Sequence, residues 1–342
     1  MDNKLRAIRF ETPDYIPMAF HINDAYWDTC DHEALFELME AHPLLFPGYR
    51  RPAGGYNSNR KIGKDRPYTD DFGCVWSTGV DGLDGIVTGH PLADWAAFER
   101  WQCPDPQTCM GIGPIDWAAE KTHADANRKK GRMVNAGLRH GHTFLQLCYL
   151  RGYENLMFDF ADEEPLLDRL IEQVEWFNTQ LVKRWLDIGV DMFGFAEDLG
   201  MQAGPMLSPA HLRRYIKPSY QRMMRLVRES GAVVHMHSDG DVRLLADDLV
   251  EGGVEVLNLQ DLVNGIDWIA QRFAGRVCIE LDIDRQFITP YGTPAQIDAL
   301  VREEVEKLGS RRGGLMMIYG LYPGVPLENA AALMDAMEKY AF

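Results

Sequence analysis

The sequence predicts an α/β fold closed into a (β/α)8 TIM barrel, with a long insertion after the first strand, and three observations carry that prediction. Strand-like and helix-like segments alternate regularly after residue 150, a pattern that implies parallel pairing with right-handed crossovers. Polar residues end nearly every strand: Glu197 and Asp198, His237 and Asp239, Gln260 and Asp261, Asp282 and Asp284, and Tyr319. Side chains at the C-terminal ends of many strands converge most readily when the strands form a ring. No Gly-x-Gly-x-x-Gly turn follows a strand, which removes the mark of an open dinucleotide-binding sheet.

In chain order, Tyr15–His21 reads as the first strand, ending in polar His21 and Asn23. Residues 47–130 are rich in Gly, Pro, Trp and Asp and read as an insertion with a small hairpin, lying over one mouth of the barrel. Arg132–Leu138 restarts the barrel. Residues 165–188 have apolar positions at helical spacing, and 189–196 form a short apolar run ending at Glu197-Asp198. A helix opens at Ser208-Pro209, an N-cap followed by proline at the first helical position, and runs to near Gly231. Next come a strand to His237, a helix over 242–251, and the strand Val254–Leu259 running into Gln260. Helix Ile266–Phe273, strand Arg276–Leu281, helix Thr293–Leu308, strand Gly314–Tyr319 and helix Leu327–Lys339 complete the pattern. No linker separates a second folding unit, so residues 1–342 are expected to form one barrel domain.

Composition narrows the function classes. A hydrophobic share of 46% supports a sizeable core, and no apolar run approaches the roughly 20 residues that span a bilayer. Met1-Asp-Asn-Lys-Leu-Arg offers no apolar stretch for a signal peptide, so a cytoplasmic location is expected. The net charge of −16 argues against non-specific nucleic-acid or anionic-membrane binding, both of which need a basic surface. Six scattered cysteines with no Cys-x-x-Cys pair read as reduced thiols.

The chemistry concentrates in Gly231–Asp241. A β-branched strand runs into His235, His237, Asp239 and Asp241, and strand alternation puts His235 and His237 on one face with Met236 on the other. Asp239 joins that face if the strand continues, and Asp241 suits an N-cap for the next helix. Of the adjacent Glu197 and Asp198 only one can face inward, and Glu197 is favoured. His21, Asn23, His235, Gln260, Asp282 and Tyr319 are candidate lining residues. His140 and His142, flanking Gly141, read as a surface loop, and Leu315–Ile318 as core.

The chain resembles the uroporphyrinogen decarboxylase superfamily, which includes corrinoid-dependent methyltransferases. The resemblance rests on Arg9-Phe-Glu-Thr-Pro-Asp-Tyr-Ile-Pro17, Asp71-Phe-Gly-Cys-Val-Trp76 with His90-Pro-Leu92, and Gly189-Val-Asp191 with Glu197-Asp-Leu-Gly200. The turn His237-Ser-Asp-Gly240, Gly252–Asn258 with Gln260, and Pro326-Leu-Glu-Asn329 add to it. It implies a (β/α)8 barrel and a homodimer. The Arg-Gln-Ala-Gly-Arg-Tyr signature of true decarboxylases is missing after His21, and Arg51-Pro-Ala-Gly-Gly-Tyr56 lies too far downstream to replace it. The methyltransferase branch holds zinc through a His-x-Cys pair and a later Cys; here His237-Ser-Asp239 stands in that place, and Gly320-Leu-Tyr322 offers no Cys. Oxygen and nitrogen donors remain, which suit a harder or weakly held zinc, or no metal.

The resemblance and the residues together imply a methyltransferase (a demethylase) that moves a methyl group from a small methoxylated or N-methylated compound to a corrinoid on a separate protein. His237, Asp239 and Glu197 are its expected catalytic residues, and the expected ligands of any metal. The first alternative is a tetrapyrrole decarboxylase, which requires an arginine cluster at the site. The second is a non-catalytic barrel that binds a small molecule.

Overall fold

The computed structural model describes residues 2–56, 63–83 and 85–342, so residues 57–62 and 84 of the 47–130 stretch, and Met1, lie outside the described residues. Seven strands form the main sheet: β1 (Met18–Ile22), β2 (Asn135–Gly137), β3 (Met192–Asp198), β4 (Val233–Asp239), β5 (Val256–Gln260), β6 (Cys278–Asp282) and β7 (Leu315–Leu321). Their spatial order is β1-β7-β6-β5-β4-β3-β2, and every pairing is parallel. The two edges, β1 and β2, flank the long stretch that separates them in sequence.

Strand alternation sorts the side chains into two cores. Phe193, Phe195, Val234, Met236, Leu257, Leu259, Ile279, Leu281 and Tyr319 pack outward against the helices. Met192, Val233, Val256, Cys278 and Met316 form an apolar layer inside the barrel, and Ala7 and Ile8 of the N-terminal helix Asn3–Ile8 plug it from below. Both strand faces are therefore buried near the bottom, which is why the strands read as continuous apolar runs. Only above that layer do the inward positions become polar.

The outer helices follow their sequence signals. Pro165–Ile188 buries Leu167, Leu170, Ile171, Val174, Phe177, Leu181 and Trp185 on one stripe, starts with Pro165 and ends at Gly189 with φ +85°. Pro294–Leu308 carries a full capping box between Thr293 and Gln296. The helix predicted from Ser208 is instead broken. A single turn, Pro209–His211, leads through a widened π-type turn, Leu212–Ile216, into Lys217–Glu229. Pro218 has no N–H to continue the ladder, and the wider turn absorbs the gap. The helix expected over 242–251 starts later, at Ala246, because the Asp241 carboxylate takes the Arg243 backbone N–H at 3.1 Å and pairs with its guanidinium.

The stretch between β1 and β2 holds a three-stranded antiparallel sheet, Tyr68–Thr69, Val75–Ser77 and Ile86–Gly89. Its last helix, Trp117–Lys129, packs on the barrel flank, where Trp117 meets Trp185 edge-on at 5.3 Å. All six cysteines are free. Among the described residues no helix is long and apolar enough to cross a membrane.

Candidate active site

Parallel register decides which strand-end side chains meet. Gly194, Ala196 and Asp198 of β3 pair with His235, His237 and Asp239 of β4, so these share the inward face. His237 is level with Asn258 on β5, and Asn258 with Glu280 on β6. Gly194 and Ala196 put almost nothing into the barrel, and that leaves room above the apolar layer. The resulting cavity of about 810 Å³ is lined by His21, His140, Asp198, His235, His237, Asp239, Asn258, Glu280, Asp282 and Arg285, and walled by Tyr68, Trp76, Tyr149, Ile112, Ile318 and Tyr322.

The cavity has a lower and an upper polar tier. Below, His235 Nε2 lies 2.6 Å from a Glu280 oxygen, and Lys4 reaches up from the plug helix to the other oxygen at 3.3 Å. Burial opposes ionisation of Glu280, yet His235 and Lys4 hold its carboxyl well below the usual carboxylate range. Burial lowers the pKa of His21 nearby.

Above, His237 Nδ1 contacts the Asn258 amide oxygen at 2.5 Å, while Nε2 points between Asp198 at 3.6 Å and Asp239 at 3.7 Å. Burial alone would lower its pKa, but Asp198 and Asp239 push it up to about 9. His140 Nε2 lies 3.2 Å from the same Asp198 oxygen, and its ring sits 5.9 Å from that of His237. Against burial, these two imidazoles hold Asp198 far below its ordinary value. Arg285 bridges Asp239 at 3.1 Å and Asp282 at 2.8 Å. Burial pushes Asp282 up to about 7 despite that guanidinium.

Of the residues expected from sequence, His21, His235, His237, Asp239 and Asp282 line the cavity. Four others do not, each because its side chain is engaged elsewhere. Glu197 is fully buried on the opposite strand face, where its carboxylate accepts the backbone N–H groups of Thr143, of Phe144 at 3.0 Å and of Leu145 at 3.0 Å. It caps helix Phe144–Arg151, whose own Thr143 makes no side-chain cap, and Asp198 takes the inward place. Glu197, expected as a catalytic residue and metal ligand, therefore lies outside the cavity lining and outside both candidate donor groups. Asn23 caps the helical turn Asp24–Trp27 through the Ala25 N–H at 2.8 Å. The Gln260 amide oxygen accepts the Gly240 N–H at 2.9 Å. Tyr319 points outward into the core, and its hydroxyl donates to Thr289 at 2.9 Å.

The residues missed by sequence reasoning are His140, Asp198, Asn258, Glu280 and Arg285. His140 sits in an exposed turn after β2, as the surface-loop reading expects, and from there also lines the cavity; His142 departs from that reading, being fully buried with Nδ1 2.6 Å from the Thr143 hydroxyl. Sequence spacing held one usable signal: Asp198 has the parity that Gly194 and Ala196, both small, share with it.

Among the described residues, two donor groups could hold a metal ion. His140, Asp198 and His237 bring two imidazoles and a carboxylate to within 4.8 Å of one another, a set that zinc or a similar divalent ion accepts. His237, Asp239 and Asp282 form the other, but Arg285 already occupies both of its carboxylates. The first group fits a metal and the second does so only if the guanidinium leaves.

Comparison with known proteins agrees with this architecture. A solved methyltransferase from Methanosarcina mazei superposes with a TM-score of 0.67, covering 99% of this chain and 98% of that one at 18% identity. At that identity the likeness establishes the barrel fold. The chain is 27% identical over 186 residues to the uroporphyrinogen decarboxylase of Thermus thermophilus, covering 52% of this chain and 50% of that protein. It is 25% identical over 146 residues to the Homo sapiens uroporphyrinogen decarboxylase, or 40% and 37% of the two chains. The matches thus span about half, or less, of the length of these curated relatives. Residues 81–340 match the uroporphyrinogen decarboxylase (URO-D) family throughout, and the chain belongs to that family.

Proposed function

We propose that this protein is a methyltransferase that takes a methyl group from a small methoxylated or N-methylated compound and passes it to a corrinoid carried by a separate protein. The observation that supports it best is the cluster of His140, Asp198, His237 and Asp239 at the top of the barrel, open to a cavity of small-molecule size.

Breaking a methyl–oxygen bond leaves the electron pair on oxygen, and the developing charge must be neutralised. His237, held cationic between Asp198 and Asp239, is placed to give that oxygen a proton. Asn258 fixes its ring by occupying Nδ1, so Nε2 is the nitrogen that faces the cavity carboxylates. Positioned acids contribute about 10²–10⁴ in rate. A divalent ion held by His140, Asp198 and His237 would supply a Lewis acid at the same place, with the imidazoles then neutral. Tyr68, Trp76 and Tyr149 give the cavity an aromatic wall.

The decarboxylase reading is weaker because the one guanidinium among the cavity-lining residues, Arg285, is already neutralised by Asp239 and Asp282. A substrate bearing many carboxylates would meet four more from Asp198, Asp239, Glu280 and Asp282. The test is methyl transfer from a panel of methyl ethers and methylamines to reduced cobalamin, followed by the absorbance of methylcobalamin. Turnover lost in His237→Ala supports the reading. Carbon dioxide release from uroporphyrinogen without any corrinoid would overturn it.

A further inference from the structure

We propose that the substrate carries a hydroxyl group at the end of the molecule opposite its methyl group, and that His235 is the residue that selects for it. This rests on the methyl-transfer reading above and narrows its substrate class.

Three observations support it. The first is how the His235 ring is held. Its Nε2 lies 2.6 Å from a Glu280 oxygen, and Lys4 donates to the other oxygen at 3.3 Å. A carboxylate only accepts hydrogen bonds, so Nε2 carries the hydrogen of the short contact. A neutral imidazole with its hydrogen on Nε2 keeps an acceptor lone pair on Nδ1. The carboxylate thus fixes both the orientation of the ring and its tautomer.

The second observation is where Nδ1 points. It has no hydrogen-bond partner among the described residues, and it lies beside Gly194 of β3, where a Cβ would sit 3.9 Å from it. Because Gly194 has no side chain, that nitrogen opens on the cavity.

The third is spacing. His235 and His237 share the inward face of β4 two residues apart, about 6.6 Å along the strand. With His237 set against the departing heteroatom, a hydroxyl that reaches His235 lies about one six-membered ring away. A ring with the two groups on opposite carbons fits that length, and one with them on neighbouring carbons does not. The hydroxyl takes no part in the bond that breaks. It holds the molecule by the floor, so that the methyl end stands in the upper tier.

Such a site discriminates strongly. An analogue without the hydroxyl buries the acceptor unpaired and bears the full desolvation of that nitrogen.

The experiment is isothermal titration of the purified protein with three neutral ethers. They are 4-methoxyphenol; 4-methylanisole, which replaces the hydroxyl by a methyl group of similar size; and 2-methoxyphenol, which moves the hydroxyl to the neighbouring carbon. The first is expected to bind about tenfold or more tightly than either of the others. His235→Leu removes the acceptor and should abolish the preference. His235→Gln, which can still donate to Glu280 and accept from a ligand, should keep part of it. Gly194→Ala should also lower it, because the added methyl meets nothing closer than 3.7 Å and is tolerated by the strand, yet crowds Nδ1. That variant carries the test if circular dichroism shows that His235→Leu does not fold. Equal affinities, tighter binding of 4-methylanisole, binding of none of the three, or a preference that survives His235→Leu and Gly194→Ala overturns the inference. Methyl transfer to reduced cobalamin from ethers regardless of their hydroxyl would sink this inference alone. A hydroxyl preference without methyl transfer from any donor would instead sink the methyltransferase reading and leave a binding site for hydroxylated ethers.

Discussion

Separating Glu197 from Asp198 gives the most direct test of the site. The perturbations are Asp198→Asn and Glu197→Ala, neighbours in sequence on opposite strand faces. Asp198 accepts one backbone bond, from Asp239 at 3.2 Å, and its other polar partners among the described residues are His140 and His237. Its amide should fold normally, within about 1 kcal/mol, because one partly buried hydrogen bond is worth that much. Zinc affinity should fall by about 100-fold or more, since even outer partners of metal ligands are worth 10- to 100-fold. Glu197→Ala should do the reverse. It orphans three buried backbone N–H groups at a helix start, each worth about 1 kcal/mol or more. Part of that is offset because burial already disfavours the carboxylate, pushing it up to about 7. A net loss of about 2–3 kcal/mol in urea denaturation is expected, with metal content unchanged. Metal analysis by mass spectrometry on both variants provides the second readout. If Glu197→Ala lost the metal and kept its stability while Asp198→Asn did the opposite, the assignment of strand faces would be wrong.

Other perturbations follow from the same geometry. No hydrogen-bond donor among the described residues meets either oxygen of fully buried Glu304, so it must carry its own proton beside Asp261, which burial pushes up to about 6. The folded chain then binds a proton that the unfolded chain releases near the ordinary glutamate value. Stability should therefore decline as pH rises above that value, by about 1.4 kcal/mol per pH unit for one proton. Glu304→Gln should flatten the slope in urea titrations between pH 5 and 8, roughly the range where carboxyl burial tells; an unchanged slope would count against the pair. Gly240→Ala should destabilise by about 2 kcal/mol or more, because φ is +80° and a Cβ would overlap the Gly200 backbone; a wild-type urea midpoint would contradict this. Arg285→Gln removes the bridge between Asp239 and Asp282 and should raise the apparent pKa of Asp282 further, read by carboxyl NMR. An unshifted Asp282 signal would show that the guanidinium is not its partner in solution.

How much of this was legible in the sequence depends on where the signal lay. Alternation placed His235, His237 and Asp239 on one face because β4 is a regular strand through Asp239. It failed at Glu197 because a strand end gives two adjacent acids and no marker of register; only the pairing with β4 settles it. It failed at Tyr319 because both faces of β7 are apolar near its start, so either parity looks like core. His140 follows a strand of three residues, too short for any periodic pattern. Arg285 sits three residues past the end of β6, in a loop whose path sequence does not give. Barrel class was readable because it needs only many strands with polar ends; membership of the site needs register.

The helix that stoppers the barrel has a practical bearing on how the protein is handled. Lys4 is the second residue of that helix and touches the Glu280 carboxylate at the floor of the cavity, so the amino end is tied directly to the candidate site. Affinity tags joined there, or trimming of the first eight positions, should alter ligand affinity as well as folding, whereas a tag at Phe342, which is 84% exposed, should leave both alone.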